Sequence, residues 1–182
     1  MLTNYYDKYE KEFTTCLFTE KNFGTSLTSQ IHLDDIALTG KVDRIELISP
    51  SLRGADATRQ SHTTKDVRVI DYKTGKSKTR NEIEGNTKNS DGDYKRQLTF
   101  YQLLSELDKS FQYEVKETQI DFIEPDAQNN FHRENFIIST EDVSNLKKEI
   151  KDSVAQIRNL DFTRTEDLTK CATCPFKSHC LR

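Results

Sequence analysis

No apolar run in this 182-residue chain approaches the roughly 20 residues that a membrane span requires. The N-terminus, MLTNYYDKYEKEF, is amphipathic and charged and has no signal-peptide core. Neither a membrane-embedded nor a secreted protein is expected, and the chain reads as cytoplasmic. An excess of positive charge is also missing, since 27 basic residues face 30 acidic ones for a net charge of −3. A protein holding nucleic acid by charge alone would be basic, so any such partner needs a local basic strip or a second protein. There is no internal repeat and no low-complexity segment. Cysteine is scarce and unevenly placed: Cys16 stands alone, while Cys171, Cys174 and Cys180 cluster at the end. In a chain of cytosolic character that clustering points to metal ligation before disulfides.

What is present is enough for one α/β domain. Hydrophobic residues make up 34% and charged residues 31%, for a mean hydropathy of −0.80. The 10 Phe and 7 Tyr are spread along the chain, and the length allows a sizeable core. Leu2, Tyr5, Tyr6, Tyr9 and Phe13 recur at helical spacing, as the end of a helix whose earlier part precedes this chain. Residues 16–23 and 26–33 alternate as two strands joined at Gly24, and 36–48 form the strongest strand, with Gly40 marking a bend or close approach. Residues 49–65 and 75–92 are long polar stretches, and 67–73 is a central strand, apolar on both faces. A helix over 93–109 carries Phe100, Leu103, Leu104 and Leu107 on one stripe. Strands at 113–123 and 131–138 flank the turn EPDAQNN. The clearest helix is 140–160, with Val143, Leu146, Ile150, Val154, Ile157 and Leu160 at steps of three and four and a cap at Ser139 or Thr140. The expected fold is α/β with a mixed central sheet flanked by helices. Residues 1–160 form the core and 161–182 a cysteine-rich tail.

Three segments carry chemistry: GKVDRI at 40–45, IDYKTG at 70–75 and QLTFY at 97–101. On a strand Asp71 and Lys73 leave the same face. A carboxylate and an ammonium at the end of an apolar strand are expensive to bury unless something uses both. Mg²⁺ or Mn²⁺ would use the carboxylate, because hard cations select oxygen. The lysine would hold a water or stabilise charge on a phosphoryl group. Asp43 is a second carboxylate on a neighbouring strand, and Gln97 and Tyr101 share one helical face. Taken singly each segment is ordinary: D-x-K occurs by chance, GKVDRI could be an edge strand with a surface ion pair, and Q-x-x-x-Y a helix surface.

In that order and on those elements, the three resemble the PD-(D/E)XK nuclease superfamily in its RecB-like branch, whose pattern runs G-x-(V/I)-D-R-(I/V), (I/V)-D-Y-K-T-G, Q-L-x-x-Y. The resemblance implies a restriction-endonuclease-like fold and a metal-dependent DNA nuclease. This would be an exonuclease on single strands, delivered by a fused or bound helicase in DNA repair or recombination. It implies that Asp43 and Asp71 hold the metal with the backbone carbonyl of Tyr72, that Lys73 is the catalytic lysine, and that Gln97 and Tyr101 position the water or the DNA. Glu20 resembles the branch's earlier acidic ligand. Lys76, Lys78, Arg80, Lys88, Lys95 and Arg96 offer a strip to guide the phosphate backbone, diluted by Glu82, Glu84, Asp91 and Asp93, and a solvated mobile loop is the plain alternative.

In the same branch a C-terminal C-x-x-C-x₅-C supplies three ligands of a [4Fe-4S] cluster, matching Cys171, Cys174 and Cys180. The branch's fourth cysteine and a histidine lie upstream, whereas no histidine precedes Glu20 here and Cys16 reads as a small core residue. Both departures suggest a C-terminal fragment of a longer helicase-nuclease. Zinc on the three cysteines with His179 is a rival, strained by adjacent ligands at 179 and 180, and free thiols are the plain alternative. Two other functions remain open: a non-catalytic module that binds DNA or braces a helicase, and a stand-alone CRISPR-adaptation exonuclease.

Overall fold

The computed structural model describes residues 2–25, 29–48, 65–162, 168–172 and 174–180, with the backbone alone at 168, 170 and 180. The expected polar segment 49–65 therefore lies, except for its last residue, outside the described residues. The chain divides into two compact units, Met1–Lys147 and Lys148–Arg182.

The first unit is built on a five-stranded mixed sheet of β1 (Cys16–Phe23), β4 (Gly40–Leu47), β5 (Lys65–Lys73), β6 (Tyr113–Phe122) and β7 (Arg133–Phe136), in the order β1-β4-β5-β6-β7. A separate hairpin pairs β2 (Ile31–Leu33) with β3 (Ile36–Leu38). As its two-sided apolar pattern requires, β5 is the central strand, antiparallel to β4 and parallel to β6. Its residues Val67, Val69, Ile70 and Asp71 are all buried. The parallel step from β5 to β6 needs a crossover, and α3 (Asp93–Leu107) supplies it, burying Leu98, Tyr101, Leu103 and Leu104. Completely burying each such side chain contributes roughly 1.5–3 kcal/mol, which anchors α3 over the strand that carries Asp71.

The expected single strand 36–48 is two strands. β3 ends at Leu38 because the backbone of Gly24, at φ 68°, packs on the Leu38 carbonyl, and a Cβ at Gly24 would lie 1.9 Å from that oxygen. The close approach expected at Gly40 is real, since a Cβ there would lie 2.5 Å from Leu104 Cδ1 of α3. The polar stretch 75–92 contains a short helix, α2 (Arg80–Ile83), started by a reciprocal Thr79–Glu82 capping box and pinned by fully buried Ile83. Cys16 is not a core residue. It is exposed at the start of edge strand β1, where the register slips between Cys16 and Phe18.

On the other side of the sheet, α1 (Leu2–Tyr9) buries Tyr5 and Tyr9 beside Phe131, with Phe13, Tyr72 and Ile123 packed around them, and a 3-10 turn follows at Glu10–Glu12. Ser139 caps α4 (Thr140–Arg158), its hydroxyl accepting from Asp142 N at 3.0 Å while Asp142 Oδ2 accepts from Ser139 N. The stripe expected along this helix is only partly buried: Val143 and Leu146 are in the core of the first unit. In the second unit Ile157 and Leu160 are exposed, and Leu160 follows the helix end at a left-handed φ of 55° that takes it off the stripe. That unit also holds α5 (Leu168–Ala172) and α6 (Lys177–Cys180). No described helix is long and apolar enough to cross a membrane.

Candidate active site

Asp71 and Lys73 emerge on one side of β5, as the two-residue period requires, and the ammonium lies 2.6 Å from Asp71 Oδ2. The other oxygen, Oδ1, accepts from Gln97 Nε2 at 2.9 Å and from the Tyr101 hydroxyl at 2.8 Å. Gln97 and Tyr101 are one turn apart on α3 and linked at 2.6 Å. The carbonyl end of Gln97 accepts from Lys73 Nζ at 2.7 Å. The result is a closed ring of Asp71, Gln97, Tyr101 and Lys73, in which one amide orients both the carboxylate and the ammonium. Burial, then the neighbouring Asp71 charge, holds the Tyr101 hydroxyl far above its ordinary pKa, so it stays protonated and remains a donor.

Asp43 reaches this centre from β4. Its Oδ2 accepts the backbone N–H of Tyr72 at 2.9 Å, so Tyr72 meets Asp43 through its amide while its side chain packs toward α1. The alternation of β4 breaks here, since the buried residues Val42 and Ile45 are three apart. Opposite, β1 and β4 pair at Thr19↔Arg44 and Lys21↔Val42, and Glu20 between them takes a left-handed φ of 53°. Local irregularity of this kind re-aims a side chain. Burial raises the Asp43 carboxyl above its usual range; the Tyr72 amide opposes this, while the Asp71 and Glu20 charges add to it. Glu20 itself is exposed and ion-paired with Lys41.

Among the described residues no group of three His, Cys, Asp or Glu side chains converges as a metal site. What the centre offers is a partial shell with the right chemistry. Among the described residues Asp71 Oδ2 is buried with no hydrogen bond and lies beside the ion-paired Lys73. Asp43 and Asp71 repel one another, and all donors are oxygen, which suits Mg²⁺ or Mn²⁺. Residues present thus fit a hard divalent cation.

Sequence reasoning missed two features. Tyr94, three residues before Gln97 and so on the same side of α3, has its ring centroid 4.6 Å from Lys73 Nζ and 3.8 Å from Lys78 Nζ. Behind the sheet, fully buried Asp121 accepts from Gln119 Nε2 at 3.1 Å and Arg133 Nε at 2.8 Å, and also from the Tyr5 hydroxyl. The first was legible as an i, i+3 relation to Gln97; the second joins residues far apart in the chain and has no local signal. Of the basic strip, Arg80 pairs with Glu84 and Glu134, Lys95 with Asp142, and Arg96 donates to the Asp91 carbonyl. In the tail Cys171 and Cys174 carry free thiols and the Cys180 side chain is outside the described residues, so the cluster reading rests on spacing alone.

A mixed five-stranded sheet with D-x-K on its central strand, a second aspartate on the next strand and a helix closing over both defines a restriction-endonuclease-like α/β fold. The chain belongs to the PD-(D/E)XK nuclease superfamily, whose family profile matches residues 1–181. It is accordingly a nuclease-superfamily domain, and nucleases of this superfamily usually work with Mg²⁺ or Mn²⁺. No curated protein matches it.

Proposed function

We propose that this chain is a Mg²⁺- or Mn²⁺-dependent deoxyribonuclease of the RecB-like branch, an exonuclease on single-stranded DNA supplied by a fused or bound helicase in cytoplasmic repair or recombination. The observation that carries the reading is the buried Asp71 carboxylate, with one oxygen fixed by Gln97 and Tyr101 and the other beside Lys73 without a hydrogen bond. Asp43, Asp71 and the Tyr72 carbonyl would hold the metal, and Glu20 would join only by releasing Lys41. The bound cation would supply charge neutralisation at the scissile phosphate and a more acidic attacking water.

The remaining steps belong to the chain. Lys73, steered by the Gln97 carbonyl, donates to the attacking water or to a phosphate oxygen where negative charge builds up. Gln97 and Tyr101 keep Asp71 from rotating, so the reacting groups are aligned before the substrate arrives. In-line attack by water leaves a 5′-phosphate and a 3′-hydroxyl. A net negative chain is consistent with a helicase doing most of the DNA holding. For the tail we propose a [4Fe-4S] cluster on Cys171, Cys174 and Cys180, with zinc as the lesser alternative.

The test is cleavage of end-labelled single strands, linear against circular, with Mg²⁺ or Mn²⁺ and after EDTA. Metal-dependent loss of the linear strand with the circle intact is the expected result. A cut circle would make the enzyme an endonuclease, and EDTA-resistant cleavage would remove the metal from the reaction.

A second readout avoids activity altogether. Because the Asp43 carboxyl is raised, the folded protein binds that proton more tightly than the unfolded chain. Stability from this group is therefore present at low pH and is lost as pH rises through the raised range. A cation at about 100 times its Kd should then raise the neutral-pH Tm by about 5–10 °C. Asp43→Asn should melt at or above the metal-free wild type and lose most of that rise, as followed by thermal denaturation. A variant that keeps the full metal response would take Asp43 out of the site.

A further inference from the structure

The segment after β5 returns Lys78 to the same aromatic ring that carries Lys73. Lys78 Nζ lies 3.8 Å and Lys73 Nζ 4.6 Å from the Tyr94 centroid. Tyr94 is half-buried on the first turn of α3 and rests on Phe122, with ring centroids 6.2 Å apart. Two ammoniums within reach of one ring repel each other, and the ring's negative face offsets part of that repulsion. An anion beside them would offset more. Lys73 is already committed to Asp71 and Gln97. Lys78 donates to Asp93 Oδ1 at 3.3 Å, between side chains that are 33% and 46% exposed, and its charge also acts on Glu82. Such a pair is weak and readily exchanged for a phosphate. The other cations of this stretch whose partners are described, Arg80, Lys95 and Arg96, are turned toward carboxylates or a carbonyl elsewhere.

Resting on the nuclease reading, we propose that Lys78 binds the phosphate next to the scissile one, and that Tyr94 is a positioning residue that sets the spacing between Lys78 and Lys73. Successive phosphates of a strand then meet successive ammoniums on one ring, which aligns the scissile bond with Lys73 without any base contact. The subsite recognises a nucleic-acid backbone irrespective of sequence.

The experiment measures kcat and KM for cutting one defined bond in single-stranded oligonucleotides that carry a single neutral methylphosphonate, moved position by position around that bond. In the wild type one flanking position should raise KM about five- to thirtyfold. Lys78→Gln should show the same loss on the all-phosphate strand, with kcat little changed and no further loss at that position. Tyr94→Leu should flatten the profile as well while keeping kcat and the melting temperature near wild type, and Tyr94→Phe, which keeps the ring face, should restore it. A merely structural loss of the ring would instead lower the melting temperature and act on all strands alike. If Lys78→Gln keeps the wild-type sensitivity at every position, or loses kcat and KM alike on all strands, the assignment is wrong while the nuclease stands. A wild type that cuts none of these strands with metal overturns the nuclease reading and this assignment together.

Discussion

Asp71→Asn should abolish metal-dependent cleavage, with a fall of at least ~10³-fold, and leave the melting temperature within a few degrees of wild type. The substitution keeps the shape of the side chain, and an amide oxygen can still accept from Gln97 and Tyr101 at the positions now held 2.9 and 2.8 Å away. What disappears is the negative charge, and with it the ligand that a hard cation needs and the counter-charge 2.6 Å from Lys73. Removing a charge that is only 2% exposed relieves a burial penalty, while Lys73, 18% exposed, still reaches water. The stability terms oppose one another and the catalytic terms do not. Cleavage assays and thermal melts on the same preparation separate the two. An unaltered rate would mean a contaminating nuclease or a site elsewhere, and a collapsed melt would call for Lys73→Met as the replacement variant.

Arg133→Met should be the most destabilising single change behind the sheet, by about 3–5 kcal/mol, because it removes one partner of a buried ion pair and leaves the other charge uncompensated. Asp121 is fully buried. It accepts from Arg133 Nε at 2.8 Å, and Arg133 Nη2 also donates to the Tyr5 hydroxyl at 3.0 Å, tying β6 and β7 to α1. Burial raises the Asp121 carboxyl above its ordinary range even though Tyr5, Arg133 and Gln119 lower it. Loss of Arg133 would push it higher. The sign follows: a carboxyl raised in the folded state contributes stability at low pH that is lost as pH rises. The penalty of Arg133→Met should therefore shrink on acidification, as seen in urea unfolding of both proteins at two pH values. A penalty that is small or independent of pH would show that Asp121 is not held as an ion. Asp121→Asn with Arg133→Met should recover part of the loss, because neither charge then remains buried alone.

The legible part of the fold was that governed by local periodicity. The apolar character of VRVIDYK on both faces placed β5 at the centre of the sheet, and steps of three and four identified α3 and α4. Where the reading went astray, a contact distant in sequence decided the matter. The 36–48 segment splits where Gly24 packs on the Leu38 carbonyl, Cys16 is exposed on edge strand β1 beside a register slip, and the C-terminal part of the α4 stripe stays partly exposed. α2 was a missed signal rather than a hidden one, since Thr79-x-x-Glu82 is a capping box written in the sequence.

By itself the sequence determined the chemical inventory: two aspartates, a lysine two residues after the second, and a glutamine and tyrosine four apart, in the order of one nuclease superfamily. It could do so because strand and helix periods fix which neighbours share a face. Only the tertiary structure decided that Gln97 bridges Asp71 to Lys73, that Glu20 is engaged by Lys41, and that Tyr94 brings Lys78 beside Lys73. These contacts join residues on different elements, and their geometry depends on strand pairing and on how closely α3 lies on the sheet. Packing of the whole core sets that approach, here through Gly40 beneath Leu104, and no local pattern encodes it.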